Sequence, residues 1–246
     1  VISGKTATDL AVIKPEYVTD YELGIKTSFV DNFTLNLTLF NTVIKDYQAN
    51  VQSPQLGVNR GYLANAEKVN VKGIELDANL TVNRHFSLYG AGTYTDGRYV
   101  KFTNAPLALE ETGLTEDGVQ VAFKDISGSR LPGISRWAGS FGGELNTPAV
   151  FLGKAENFFI ALDTYYRSAF SSSPSPSAYL NIDGYALING RIGFRATTGL
   201  SLFVWGRNLF NKNYFEQLLP AGGNSGQYAA VLGDPRTYGI TLRYAF

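Results

Sequence analysis

The chain contains no cysteine and no methionine, and only one histidine, among its 246 residues. Without cysteine there is no disulfide framework and no thiolate metal site. A chain that crosses an oxidising compartment suits that composition, although cytosolic proteins also do without cysteine. With His85 as the sole imidazole, a histidine-based triad or a multi-histidine metal centre is impossible within this segment. Charge of one sign is not in excess: 21 basic residues balance 21 acidic ones. Nucleic-acid binding would need a basic surplus to neutralise phosphates, so that partner class is excluded. No run approaches 18 apolar residues, so no transmembrane helix is expected. Position 1 is Val, and Val1-Ile2-Ser3-Gly4 does not open a signal peptide, so the start is expected to be either a mature terminus or a truncation.

What is abundant points the other way. Fifteen Tyr, 16 Phe and 26 Gly supply strand formers and turn formers together, the composition of an all-β protein. Period-2 alternation dominates and helical periodicity is scarce. Nine strands are expected over 20–30, 33–47, 71–82, 85–96, 136–145, 158–168, 185–196, 200–208 and 237–246. The second is the clearest, with Phe33, Leu35, Leu37 and Leu39 alternating with Thr34, Asn36 and Thr38. Connections alternate in length. Asp31-Asn32, Asn83-Arg84 and Thr197-Thr198-Gly199 read as tight turns and Asn146 to Asn157 as a moderately short one. Polar loops are expected at 49–70, 97–135, 169–184 and 209–236. Short periplasmic turns and long extracellular loops give a transmembrane barrel this rhythm.

Charge parity tests that idea. One face of the nine strands carries Asp20, Glu22, Lys26, Asp46, Glu75, Asp77, Arg136, Glu144, Asp163, Arg167, Arg191, Arg195, Arg207 and Arg243. The other carries only Lys45, Lys72 and Asp96, all at the expected extracellular strand ends. A Lys or Arg facing mid-bilayer lipid costs about 2–4 kcal/mol, which selects for this segregation. The uncharged face also repeats aromatics eight residues apart: Tyr21/Phe29, Phe86/Tyr94, Phe158/Tyr166 and Tyr238/Phe246, with Trp137/Leu145 following the same spacing. Eight residues span roughly 26 Å of strand, or about 20 Å of membrane normal at a tilt near 40°, close to an apolar band about 25 Å tall. Two aromatic girdles result, Tyr above and Phe below. A soluble β-sandwich would share the alternation but not the girdle spacing, the sorted loops or so polar a second face.

Nine strands is odd, whereas closed single-chain bacterial barrels are even, so the expected fold is an incomplete barrel. The final strand ends on Phe246, with Tyr238, Ile240, Leu242 and Tyr244 on one face. A terminal aromatic there resembles the signal read by the outer-membrane assembly machinery. The C-terminus is therefore expected to be genuine and the N-terminus truncated.

Five segments carry a more specific resemblance. Ile13–Lys26 (IKPEYVTDYELGIK), Val71–Leu80 (VKGIELDANL), Gly184–Arg195 (GYALINGRIGFR), Gly206–Gln217 (GRNLFNKNYFEQ) and Gly233–Phe246 (GDPRTYGITLRYAF) resemble, in order, motifs of the C-terminal half of TonB-dependent receptors. The resemblance implies a barrel of about 22 strands around a plugged lumen, of which these would be the last nine. It makes residues 1–246 the C-terminal part of one Gram-negative outer-membrane, multi-pass domain, with the plug and first strands outside this chain. It also implies partners: outer-membrane lipid, the TonB complex reached through the absent N-terminal part, the barrel assembly machinery, and a small-molecule nutrient taken at the extracellular loops.

Candidate sites follow from placement. Glu75, Asp77, Glu144, Asp163, Arg191, Arg195, Arg207 and Arg243 would line the lumen and meet the plug or the substrate path. Asp163 and Arg167 stand four apart on one face and could pair. At the mouth, Arg167, Phe170 and Tyr179 flank one loop, and Tyr214, Phe215, Gln217 and Tyr228 belong to the last. Aromatics with a cation suit an anionic iron chelate by stacking and charge, and equally a sugar, a corrinoid, or mere loop packing. Glu110, Glu111, Glu116 and Asp117 lack calcium-loop spacing and read as a solvated loop. No metal site, intrinsic cofactor or catalytic constellation is expected. Import of a ferric siderophore leads; cobalamin, haem or glycan import, a passive porin, and a non-transporting adhesin are the alternatives.

Overall fold

Nine long strands form one antiparallel sheet in strict chain order. They are β1 (Tyr17–Val30), β2 (Phe33–Gln52), β3 (Gly61–Asn83), β4 (Phe86–Lys101), β5 (Trp137–Phe151), β6 (Lys154–Arg167), β7 (Tyr185–Ala196), β8 (Leu200–Arg207) and β9 (Thr237–Tyr244). The computed structural model describes residues 12–52, 61–113, 115–116, 119–121, 123–151, 154–174, 176–221 and 226–245. Phe246 and the side chain of Phe29 lie outside the described residues. Among the described residues, β1 and β9 each pair on one side only, so the sheet is an open segment of barrel wall.

Alternation divides the sheet as the charges require. On the outward face, Tyr21, Leu23, Leu39, Leu76, Phe141, Leu162 and Ile240 are exposed, and Tyr238 is 80% exposed. In water such a band would be a liability of several hundred square ångströms; in hydrocarbon it costs nothing. The inward face carries the polar partners. Glu144 accepts a two-point bond from Arg195 (2.6 and 2.9 Å), with Arg191 at 3.6 Å. Asn36 donates to Asp77 at 2.8 Å, Thr42 to Asp20 at 2.5 Å, and Tyr89 to Asp163 at 2.9 Å. Aromatic rings lie flat over glycines of neighbouring strands. A Cβ added to Gly239 would stand 2.6 Å from the Trp205 ring, and one on Gly73 would stand 2.7 Å from Phe40. A ring thus fills the space and shields the backbone that the glycine leaves open.

Register gives the shape. From Tyr238 the paired positions run through Gly206, Gly190, Leu162, Gly143, Leu88, Leu80 and Phe33 to Val30 on β1. Tyr21, the upper rim residue of β1, lies nine positions before Val30. For Tyr21 and Tyr238 to stand at one height, the sheet must climb about one residue per strand. At about 3.3 Å per residue and about 4.8 Å between strands, that is a strand tilt of roughly 35–38°, within the range of closed outer-membrane barrels.

Several connections differ from the sequence expectation. The segment 61–70, expected as loop, is strand, and β2 runs on to Gln52. The turn expected over Asn146 to Asn157 is instead a tight hairpin, with Phe151 opposite Lys154. The cause at β2 is a change of phase. Asp46 adopts φ 53°, after which Tyr47, Ala49 and Val51 take over the inward side that Ile44 held. On β4 a bulge at Val100 leaves both Tyr99 and Phe102 facing the core. These extensions bury Ala49, Val51, Ala66, Val69 and Tyr99 against Phe102, Ala105, Ile126 and Leu131 of the long loop that follows β4. That loop consequently folds inward, over the mouth.

Candidate ligand-binding site

The mouth is built from three connections: 102–136 after β4, 168–184 after β6 and 208–236 after β8. A cleft of about 650 Å³ opens between the first two, lined by Glu110, Lys124, Arg130, Phe170, Ser177 and Asn181 among others. Arg130 is brought there because residues 128–131 pair back onto the top of β4: Tyr99 N–H donates to Ser129, Gly128 N–H to Tyr99, and Leu131 N–H to Gly97. A Cβ on Gly97 would lie 2.7 Å from Ile134, so this close return needs glycine.

Glu110 joins all three connections. Its carboxylate accepts a hydrogen bond from the Ala178 N–H at 3.0 Å and another from the Tyr228 hydroxyl. Partial burial acts to raise the Glu110 carboxyl, but hydrogen bonds from Ser177, Tyr228 and the Ala178 backbone outweigh it and hold the group below its ordinary value. The Tyr228 hydroxyl moves up, through burial and then its bond to Glu110. Glu111 turns the other way, accepting from the Ala108 N–H at 2.9 Å and from Lys124, which also reaches the Pro176 carbonyl. The neighbouring acids therefore act as separate loop fasteners. The side chains of Glu116 and Asp117 lie outside the described residues. Among the described residues no group of three His, Asp or Glu is disposed to hold a metal ion.

The expected mouth residues divide into two groups. Arg167, Phe170 and Tyr214 belong to a packed cluster: Phe170 is 6% exposed and packs with Ile182 and Tyr185, and the Tyr185 and Tyr214 rings lie 4.4 Å apart. The Arg167 guanidinium stacks 3.6 Å over Phe170 and donates to Ser135 Oγ and the Gly133 carbonyl, both at 3.0 Å. It does not pair with Asp163, whose carboxylate is taken by Tyr89. Tyr179 and Tyr228 form the second group, rings stacked at 5.5 Å, with Tyr179 62% exposed. Phe215 and Gln217 are exposed on a short ribbon, Phe215–Pro220 paired with Tyr228–Leu232. That ribbon is fastened to the second connection by Ser172, whose hydroxyl donates to the Leu218 carbonyl at 2.6 Å. His85 is tied to the foot of β5, its Nδ1 3.0 Å from the Asn146 carbonyl.

Sequence reading passed over Asn208. Its φ of 47° lies in the left-handed region that asparagine tolerates, and its side chain is fully engaged. Nδ2 donates to the Lys212 and Asp234 carbonyls (2.9 and 3.0 Å), and Oδ1 accepts from Lys212 N–H (2.8 Å). One buried amide thus fixes where the last loop leaves β8 and returns to β9. The run Asn208-Leu209-Phe210-Asn211-Lys212 was visible as a motif, but its mechanical role was not.

Fold and mouth define a tilted, two-faced segment of barrel wall with a loop cap folded over its inner side. A family model described as TonB dependent receptor-like, beta-barrel, matches residues 3–209, and the chain belongs to the TonB-dependent receptor family. It is similar to the ferric-pyoverdine M114 receptor of Pseudomonas sp. (strain M114), at 31% identity over 97% of this chain and 25% of that protein. Among solved structures it resembles the ferric yersiniabactin uptake receptor of Yersinia pestis (22% identity, TM-score 0.67, 94% of this chain and 30% of that one). It also resembles a copper transporter (16% identity, TM-score 0.67, 96% and 32%). These two likenesses concern the fold. The chain spans about a quarter of the length of the curated relative.

Proposed function

We propose that this chain is the C-terminal wall and part of the mouth of an outer-membrane receptor that imports a ferric siderophore with TonB-supplied energy. Its remaining strands and plug would lie elsewhere in the protein, closing a barrel of about 22 strands. The observation that carries the reading is the cleft at the inward-folded loops. Arg130 enters it with no polar partner among the described residues, beside an aromatic ring and a ring of Ser and Asn donors. Such a surface suits a bulky chelate of mixed charge with many hydrogen-bonding groups. The curated relative's ferric-pyoverdine cargo supports an iron chelate over cobalamin, haem or glycan.

A chain with no cysteine, no methionine and one histidine offers no soft-donor set, so recognition here would fall on the chelator and not on a bare metal ion. The exposed Tyr179/Tyr228 stack is the second contact surface, with Phe215 and Gln217 beside it. Arg167, Phe170 and Tyr214 would act by holding the loop base. Inner-wall residues Glu75, Asp77, Arg191, Arg207 and Arg243 would face the plug or the passage.

The test is uptake of radio-iron-loaded chelates by cells carrying the full-length receptor, with and without a functional TonB complex. Energy-dependent uptake that Arg130→Ala lowers about tenfold supports the proposal. Uptake that persists without TonB turns the protein into a passive channel, and no uptake beyond an empty strain removes the transport reading.

A further inference from the structure

On the outward side of β2–β5, two features stand one above the other that neither the wall nor the mouth uses. At the upper aromatic rim, Gly92 and Gly139 lie opposite each other in register. Lacking side chains, they leave a dent of about 510 Å³ bordered by Ile74, Leu76, Tyr94, Trp137 and Tyr166. The Tyr94 and Trp137 rings meet at 4.8 Å and form one wall of it.

Above the dent is a row of like charges. Lys45 is paired in register with Lys68, and Lys68 with Lys101. The bulge at Val100 turns Lys101 outward, since Tyr99 and Phe102 on either side are buried. Lys72 stands between the row and the dent. All four lysines are exposed, and none has an ion-pair partner among the described residues. The nearby acids are engaged: Asp96, opposite Lys72, is held by Arg98 at 3.0 Å, Glu67 by Thr103, and Asp125 by Ser127. Lys101 is also within electrostatic reach of Glu67 and Asp125. Like charges directly opposite on adjacent strands destabilise a sheet, so this row works against the fold that carries it.

We propose that this outward surface binds an acylated lipid of the surrounding leaflet whose head group carries more than one phosphate. The dent opens to hydrocarbon, so an acyl chain is its natural occupant, held against two aromatic walls. Clustered lysines at a membrane surface attract anionic head groups. Their heights call for more than one phosphate: along β3, Lys72 stands about 7 Å and Lys68 about 20 Å above Ile74. The proposal rests on the membrane-barrel reading but not on the identity of the cargo.

The test is native mass spectrometry of the full-length protein in detergent, titrated with three lipids. They are a diphosphorylated, multiply acylated glucosamine disaccharide, phosphatidylglycerol and phosphatidylethanolamine. The diphosphorylated lipid should bind about tenfold more tightly than phosphatidylglycerol, and phosphatidylethanolamine more weakly still. The fourfold variant K45Q/K68Q/K72Q/K101Q should abolish that preference while keeping or raising the melting temperature, because it removes like-charge repulsion. Gly92→Leu should weaken binding by filling the dent, and it has room: the nearest atom to an added Cβ is 3.9 Å away. Equal affinity for one and two phosphates, or undiminished binding by either variant, overturns the proposal. A protein that needs no detergent would instead refute the membrane reading beneath it.

Discussion

Asn208 satisfies three backbone groups from one buried side chain, and replacing it leaves them without partners in a place water does not reach. Asn208→Ala should therefore cost about 1–3 kcal/mol. A drop in the unfolding midpoint of the detergent-solubilised protein would show it, and Asn208→Asp should recover only part of the loss because it lacks the donor. Glu110 behaves differently because its contribution depends on charge. Its carboxyl is held below its ordinary value, so the loop attachment is present above the unfolded-state value near 4.5 and is lost as pH falls through the lower folded value. Hydrogen exchange at Ala178 should rise on acidification below about pH 4.5, and Glu110→Gln should flatten that dependence. Little of this was legible in the sequence. Glu110 stands in an acidic run that reads as solvated loop, and its partners Ala178 and Tyr228 are 68 and 118 residues away.

At the level of the strand, the sequence was far more informative. Each of the nine expected strands overlaps an observed one, and the charge-bearing parity is the inward parity throughout the barrel wall. The reading failed where the phase changes. Past Asp46 the alternation resumes one residue out of step, with Tyr47, Ala49 and Val51 in the positions polar residues would have held. A search that allowed one skipped residue would have found it. The faces make a sharp prediction on β5, where Ser140 points inward and Phe141 outward with 59% of its surface exposed. Phe141→Lys should destabilise the protein by about 2–4 kcal/mol in reversible unfolding, whereas Ser140→Lys should change it by under about 1 kcal/mol. Equal costs on both faces would mean the outward side does not meet lipid.

For the molecule as a whole, tilt, faces and mouth form one device. The rim climbs one residue per strand, the outward band suits hydrocarbon, and the loops fold inward because apolar residues of the first long loop have only the strand extensions to pack against. Those residues, Phe102, Ala105, Ile126 and Leu131, looked like scattered apolar positions in a polar loop. Their convergence depends on contacts across distant strands that no local pattern encodes. The absence of cysteine makes the central claim directly testable, since any introduced cysteine is the chain's sole thiol. Single cysteines along β6, from Phe158 to Tyr166, would carry spin labels in the full-length protein in bilayers, and Tyr179→Cys, Tyr228→Cys and Thr198→Cys would be probed in intact cells. The account predicts oxygen accessibility alternating with period 2, highest at 158, 160, 162, 164 and 166. It also predicts that an impermeant maleimide labels Tyr179→Cys and Tyr228→Cys from outside but reaches Thr198→Cys only after permeabilisation. Uniform accessibility along β6, or external labelling of Thr198→Cys, would contradict a barrel wall that spans the membrane with its ligand-binding mouth outward.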